Sequence, residues 1–131
     1  MAIYPDKEQI EELMKGPADQ PVVMVNLLKF KPRADESEGD ASGQVAYGRY
    51  AEKMRGVVES QGGRFIWAGR VDSKVIGEDG DPEFDVVALV EYPSRQKFLE
   101  IGGSQKVREI GEHRSAGLEM QWLIATTETQ M

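Results

Sequence analysis

His113 is the single histidine of this 131-residue chain and the first candidate for chemistry. Imidazole is the side chain that changes charge near neutral pH without a strongly perturbing environment. Three readings of it stay open. It is a general acid or base at a pocket mouth, a haem axial ligand, or a helix-end histidine favoured by the helix dipole. One histidine without partners fixes no metal site. The second candidate is Asn26, a carboxamide inside the apolar run Val22–Leu28. A buried amide without hydrogen-bond partners is costly. Asn26 therefore either holds a substrate carbonyl or oxyanion, or bonds backbone and neighbouring side chains within the sheet. Tyr47, Tyr50 and Trp67 have the phasing of core residues. If a pocket lies between sheet and helices, their rings line it and their polar tips orient a ligand. Arg64, Arg70 and Arg114 read as solvated charges. In a cleft, Arg114 is the preferred carboxylate clamp because it adjoins His113.

Other chemistries are excluded by residue type. Cysteine is absent, so disulfides, thiolate nucleophiles, iron–sulfur clusters and cysteine zinc sites are not available. The balance of 16 basic against 23 acidic residues gives a net charge of -7. An acidic domain is repelled by phosphate backbones, so neither nucleic acid nor an anionic membrane surface is an expected partner. The acidic stretches Asp35–Asp40 and Asp79–Asp85 alternate like calcium loops, but Ala46 and Val90 stand where such loops require glutamate. They read as solvated turns. No phosphate-cradling glycine loop and no nucleophile elbow occurs, so no cofactor and no metal are expected. Ser115 beside His113 is no evidence for a dyad, because such pairs are assembled by the fold. The N-terminus shows no basic segment followed by an apolar one, and the longest apolar run is far short of a membrane span. A soluble cytoplasmic protein is the expectation.

Positioning these residues is the task of the surrounding elements. A short helix opens the chain, with Asp6 and Gln9 in capping-box spacing and Gly16-Pro17 as its stop. The first strand, Pro21–Phe30, is apolar on both sides. Its two-residue period puts Val22, Met24, Asn26, Leu28 and Phe30 on one face. Residues 31–43 form a polar loop expected to be mobile. The second helix, about Gln44–Gln61, carries the stripe Tyr47, Tyr50, Ala51, Met54 and Val58, and Gly62-Gly63 ends it. A second strand starts near Arg64, with Phe65, Trp67 and Gly69 on one face and a bend or bulge at Gly69. A turn at 78–82 leads into a third strand, Phe84–Tyr92, and the two strands read as a hairpin. Ser94 caps the next helix, Gly102-Gly103 breaks it, and Ser104 caps a second piece ending near 112–114. The last strand, Leu118–Thr126, puts Leu118, Met120, Trp122 and Ile124 on one face.

Behind the short N-terminal helix, this order is strand, helix, strand, strand, helix, strand. That is the βαββαβ arrangement of the ferredoxin-like α+β fold, with both helices on one face of a four-stranded antiparallel sheet. The whole chain, 1–131, reads as one such domain with a helical extension at 1–20. Every strand also carries apolar residues on its second face. A naked face of that size exceeds what monomers expose, so a homodimer packed through its sheet faces is expected.

Several segments resemble one family. They are Met24-Val25-Asn26-Leu27-Leu28-Lys29-Phe30, Tyr47 and Tyr50, Gly62-Gly63, Glu91-Tyr92-Pro93-Ser94, and His113-Arg114-Ser115-Ala116-Gly117-Leu118. In this order and spacing they resemble the DUF1330 family, over about residues 21–126. The resemblance implies a dimeric ferredoxin-like α/β barrel. The activity of that family is uncharacterised, so the resemblance supplies no reaction. The chain departs from the pattern in its extra N-terminal helix and its acidic 31–43 loop, both able to reshape a pocket.

Three functions remain. The first is a cofactor-independent enzyme, monooxygenase- or isomerase-like, acting on a small organic molecule between sheet and helices, by analogy with similar barrels. There Asn26 stabilises an oxyanion, His113 moves a proton, and Tyr50 with Trp67 packs the substrate. The second is a ligand-binding or sensing module without chemistry. The third is a structural dimer with no pocket.

Overall fold

A computed structural model describes residues 2–131; Met1, the first residue of the expected extension, lies outside them. After the N-terminal helix α1 (Lys7–Met14) come β1 (Val22–Phe30), α2 (Gly43–Ser60), β2 (Arg64–Arg70) and β3 (Val86–Tyr92). Helices α3 (Arg95–Gly102) and α4 (Gln105–Gly117) and strand β4 (Leu118–Thr126) complete the chain. The sheet order is β2-β3-β1-β4, and each neighbouring pair is antiparallel. This is the ferredoxin-like α+β fold that the order of elements predicted.

Local chemistry sets the helix ends. Asp6 and Gln9 form the expected capping box on α1. Ser42, Ser94 and Ser104 accept from Val45, Lys97 and Val107 N–H at the starts of α2, α3 and α4. Helix α4 runs to Gly117, past the expected end at 112–114, and passes directly into β4. At the end of α2, Gly62 takes a positive φ of 89° that side-chain-bearing residues avoid.

The core lies between the helices and one sheet face. Val22, Met24, Val90 and Tyr92 of the sheet pack against Met54, Val58, Ile101 and Ile110. Segment 31–43 carries a 3-10 turn at Glu36–Glu38 and has several anchors. Lys31 and Asp35 N–H groups donate to the Gly117 and Ala116 carbonyls at 2.8 and 3.1 Å, and Ala34 and Glu38 are buried.

Two bulges correct the expected faces. In β2, Phe65 pairs with Val90 and Trp67 with Leu89, so Ile66 is the extra residue and the bulge falls there rather than at Gly69. Phe65 then faces the helices, while Trp67 and Gly69 face away. Trp67 is 59% exposed in the single chain, so the expectation of a core residue is corrected. In β4 the register shifts opposite Lys29/Phe30. Leu118 therefore points to the helices and is buried, while Met120, Trp122 and Ile124 lie on the far face. The second strand also stops at Arg70, well short of Gly77; Val75 and Ile76 stand exposed in the connection to β3.

The far face carries Val23, Val25 and Leu27 of β1, Val87 and Leu89 of β3, Trp67 of β2, and Trp122 and Ile124 of β4. No helix among the described residues covers it. Among the described residues no helix is long and apolar enough to cross a membrane.

Candidate functional site

Asn26 sits on the helix-facing side of β1, two residues from Met24 and two from Leu28. Those neighbours are 2% and 1% exposed, whereas Asn26 is half-buried. The partners across the sheet explain the difference. Asn26 pairs with Ala88, and Ala88 pairs with Ala68. On its other side Asn26 pairs with the exposed Leu123, so the row runs Ala68, Ala88, Asn26, Leu123, with two methyl groups on one flank of the amide.

The hydrogen bonds of Asn26 are unequal. Its Oδ1 accepts from Gln121 Nε2 at 2.8 Å. Its Nδ2 donates to the Met24 and Ala88 carbonyls at 3.3 and 3.4 Å, the long end of the range. The acceptor is thus well used and the donors are weakly used. Gln121 Oε1 in turn accepts from Arg114 Nη2 at 2.6 Å. A polar chain, Asn26–Gln121–Arg114, crosses from the sheet to α4. Gln121 was not singled out from sequence; the available signal was a second uncharged polar residue in an apolar strand.

Tyr47 and Tyr50 stand on α2 beside this chain. Their rings are 5.4 Å apart between centroids, and Tyr47 lies 5.5 Å from Phe30. Burial raises the phenol of Tyr47 above its ordinary value, reinforced by Tyr50, and the nearby Arg114 charge offsets only part of this. Burial raises Tyr50 in the same way against Arg114. Both phenols are therefore held in the neutral, protonated form, with a hydroxyl available to donate. Neutral donors and one guanidinium suit an oxygen-rich or anionic organic molecule. Among the described residues no carboxylate or imidazole is hydrogen-bonded to Asn26 or Arg114.

His113 belongs to a different cluster. Its Nδ1 lies 2.8 and 2.9 Å from the carboxylate oxygens of Glu38. That carboxylate, with a side chain 2% exposed, also accepts from Arg49 at 3.0 Å. His113 Nε2 faces Lys53 Nζ at 3.4 Å. With Nδ1–H donating to Glu38, Nε2 is the acceptor toward lysine. His113 and Arg114 are consecutive on a helix, so their side chains diverge and join separate clusters. The structure thus brings Asn26, Tyr47, Tyr50 and Arg114 together and leaves His113 apart. Trp67 lies on the opposite face of the sheet, turned there by the bulge, with its ring across Gly69. Sequence reading missed Glu38, because a carboxylate in a polar loop carries no sign of burial.

Two open clefts flank these clusters. One, of about 460 Å³, is lined by Phe30, Lys31, Ser42, Gln44, Arg70 and Asp85 at the end of the sheet. The other, of about 470 Å³, lies between α2 and the start of α4, beside Lys53, Gly56 and Lys106. Of the residues singled out from sequence, Arg70 lines the first cleft, whereas Asn26, Tyr47, Tyr50, Trp67, His113 and Arg114 line neither. The first nevertheless abuts the site, since Phe30 packs on Tyr47.

The chain matches the family described as "Domain of unknown function (DUF1330)" over residues 38–127. No curated protein matches the sequence. Among solved structures, it is similar to the RPA0582 protein of unknown function from Rhodopseudomonas palustris. The two are 31% identical, with a TM-score of 0.86 and 98% of each chain covered. It also resembles SnoaB from Streptomyces nogalater, described as a cofactor-independent oxygenase. There the identity is 13%, the TM-score 0.53, and 86% of this chain and 96% of that one are covered. A third is a Bacteroides fragilis protein described as dimeric, of unknown function and ferredoxin-like fold. It is 10% identical with a TM-score of 0.50, covering 86% of this chain and 100% of that one. At these lower identities the likeness speaks to fold alone.

Proposed function

We propose, for a chain that belongs to the DUF1330 family, a cofactor-independent enzyme of the monooxygenase or isomerase type. Its substrate is a small organic molecule held between sheet and helices over Asn26. The observation that carries this reading is the half-buried chain Asn26–Gln121–Arg114 beside the protonated Tyr47 and Tyr50. An amide donor on two long bonds can re-aim at an oxygen that gains charge during reaction. Its oxygen, fixed by Gln121, keeps the amide oriented meanwhile. Tyr47 and Tyr50 add phenol groups and aromatic surface beside the small side chains of Ala68 and Ala88. His113 contacts none of these groups, so we assign it no part in proton transfer. The second reading, a binding or sensing module, uses the same site without turnover.

The assembly we propose is a homodimer joined through the far sheet face. The apolar residues there are uncovered by the chain's own helices, and Trp67, Trp122 and Ile124 stand exposed among them, the kind of contiguous apolar patch that marks an interaction surface. A two-fold partner would supply the same surface in return.

Native mass spectrometry of the purified protein and its Asn26→Leu variant tests the site. The expected result is a small molecule retained by the wild type and lost in the variant. If neither retains a ligand and Asn26→Leu is more stable, Asn26 is only a tolerated core amide, and the site reading falls. Incubation of the identified molecule with the protein then separates enzyme from binding module by whether a product appears.

A further inference from the structure

We propose that residues Ala2–Tyr4 form a displaceable strap over Arg114, and that a small organic carboxylate displaces it. The inference deepens the site described above and rests on that reading.

The strap is held by few contacts. Arg114 Nη2 donates to the backbone carbonyl of Ile3, and the guanidinium lies 5.2 Å from the centre of the Tyr4 ring. Gln121 N–H donates to the Ala2 carbonyl at 3.0 Å, prolonging the ladder past the edge of β4. Tyr4 is 66% exposed, so its ring buries little surface. Helix α1, capped by Asp6, starts just beyond and tethers the segment. A stretch with so few buried contacts opens at small cost.

Arg114 is charged but surrounded by neutral partners. They are a peptide carbonyl, the Gln121 amide and a phenol ring. Arg33, Arg49, Arg55, Arg64 and Arg70 each reach a carboxylate. Among the described residues Arg114, like Arg108 and the buried Arg95, which donates to the Thr127 hydroxyl, reaches no carboxylate, although the chain has 23 acidic residues. A carboxylate accepts from a guanidinium through two parallel bonds and gains full charge pairing, which a single carbonyl cannot match. An anionic ligand therefore outcompetes Ile3 for the same donors. Its carboxylate takes the place of the carbonyl, and the rest of the molecule lies toward Tyr47, Tyr50 and Asn26. Neutral molecules lack the means to lift the strap, so the segment selects for charge.

Benzoate and its neutral isostere benzamide are suitable probes, titrated into the full chain and followed by NMR chemical shifts. We expect benzoate to bind at least about tenfold tighter, a difference of about 1.4 kcal/mol. Deleting residues 2–4, or the milder Tyr4→Ala, should tighten benzoate binding several-fold. Arg114→Gln should erase the preference between the two probes, and Arg114→Lys should restore part of it. Equal binding of both probes, unchanged by deletion, overturns the strap and the carboxylate but leaves the site reading standing. Binding of neither probe to any variant that keeps the wild-type circular dichroism overturns both.

Discussion

Glu38 is a buried carboxylate whose charge is met by His113 and Arg49. Burial by itself pushes its carboxyl up, but hydrogen bonds from His113 and Arg49 outweigh burial and hold it below its ordinary 4.5. A lowered folded value means that the pairing stabilises the protein above about pH 4.5 and that this contribution is lost as pH falls through the folded value. Urea unfolding at neutral pH and at about pH 3 should therefore show a smaller acid loss in Glu38→Gln than in the wild type. At neutral pH the same variant should be less stable by about 1–2 kcal/mol, toward the low end because Arg49 and His113 can rehydrate. His113→Ala should weaken the fold by about 1 kcal/mol and leave ligand retention unchanged, since it touches no residue of the Asn26 chain. Loss of retention without unfolding would return His113 to the site. Asn26 was legible in the sequence because a lone amide in an apolar strand demands partners. Those partners were not, because Gln121 lies 95 residues away and only sheet pairing brings it near.

Helices α2 and α4 cross where two glycines meet. A Cβ on Gly43 would stand 2.6 Å from the Gly117 carbonyl, and one on Gly117 would run into the Gly43 carbonyl. Backbone atoms cannot yield as a flexible side chain does, so the crossing requires glycine on both sides. Gly117→Ala should destabilise the protein by about 2–3 kcal/mol through overpacking, lowering Tm by roughly 6–15 °C for a domain of this size. A loss below about 0.5 kcal/mol would show that the helices can slide apart. The crossing holds the end of α4 that carries His113 and Arg114, whose side chains diverge as consecutive residues of a helix. The helices themselves were legible from their serine caps and apolar stripes, which are local signals. Strand faces were less so. One extra residue at Ile66 reverses every later side chain of β2, and nothing in the local pattern marks it.

At the scale of the whole molecule, the proposed homodimer rests on the far sheet face. Leu27 lies near its centre, paired with Val87 on one side and Trp122 on the other. A charge there would be buried without a partner in a face-to-face dimer and would be harmless on a free surface. Leu27→Lys should therefore convert a dimer into a folded monomer by sedimentation velocity. It should also shift tryptophan emission to the red, since Trp67 and Trp122 share this face. A wild-type monomer would place some other cover on the sheet.

Composition, periodicity and caps by themselves determined the class of this protein: its elements, their order, the ferredoxin-like arrangement and the polar residue that its first strand must explain. These follow from near neighbours in the chain, whose influence extends a few residues. Only the tertiary structure decided which side chains share a site. It joined Asn26 to Gln121 and Arg114, sent His113 to Glu38, and turned Trp67 to the opposite face. Those outcomes depend on strand register, two bulges and one close helix crossing. Such features arise from packing between residues tens of positions apart, and no local pattern in the sequence records them.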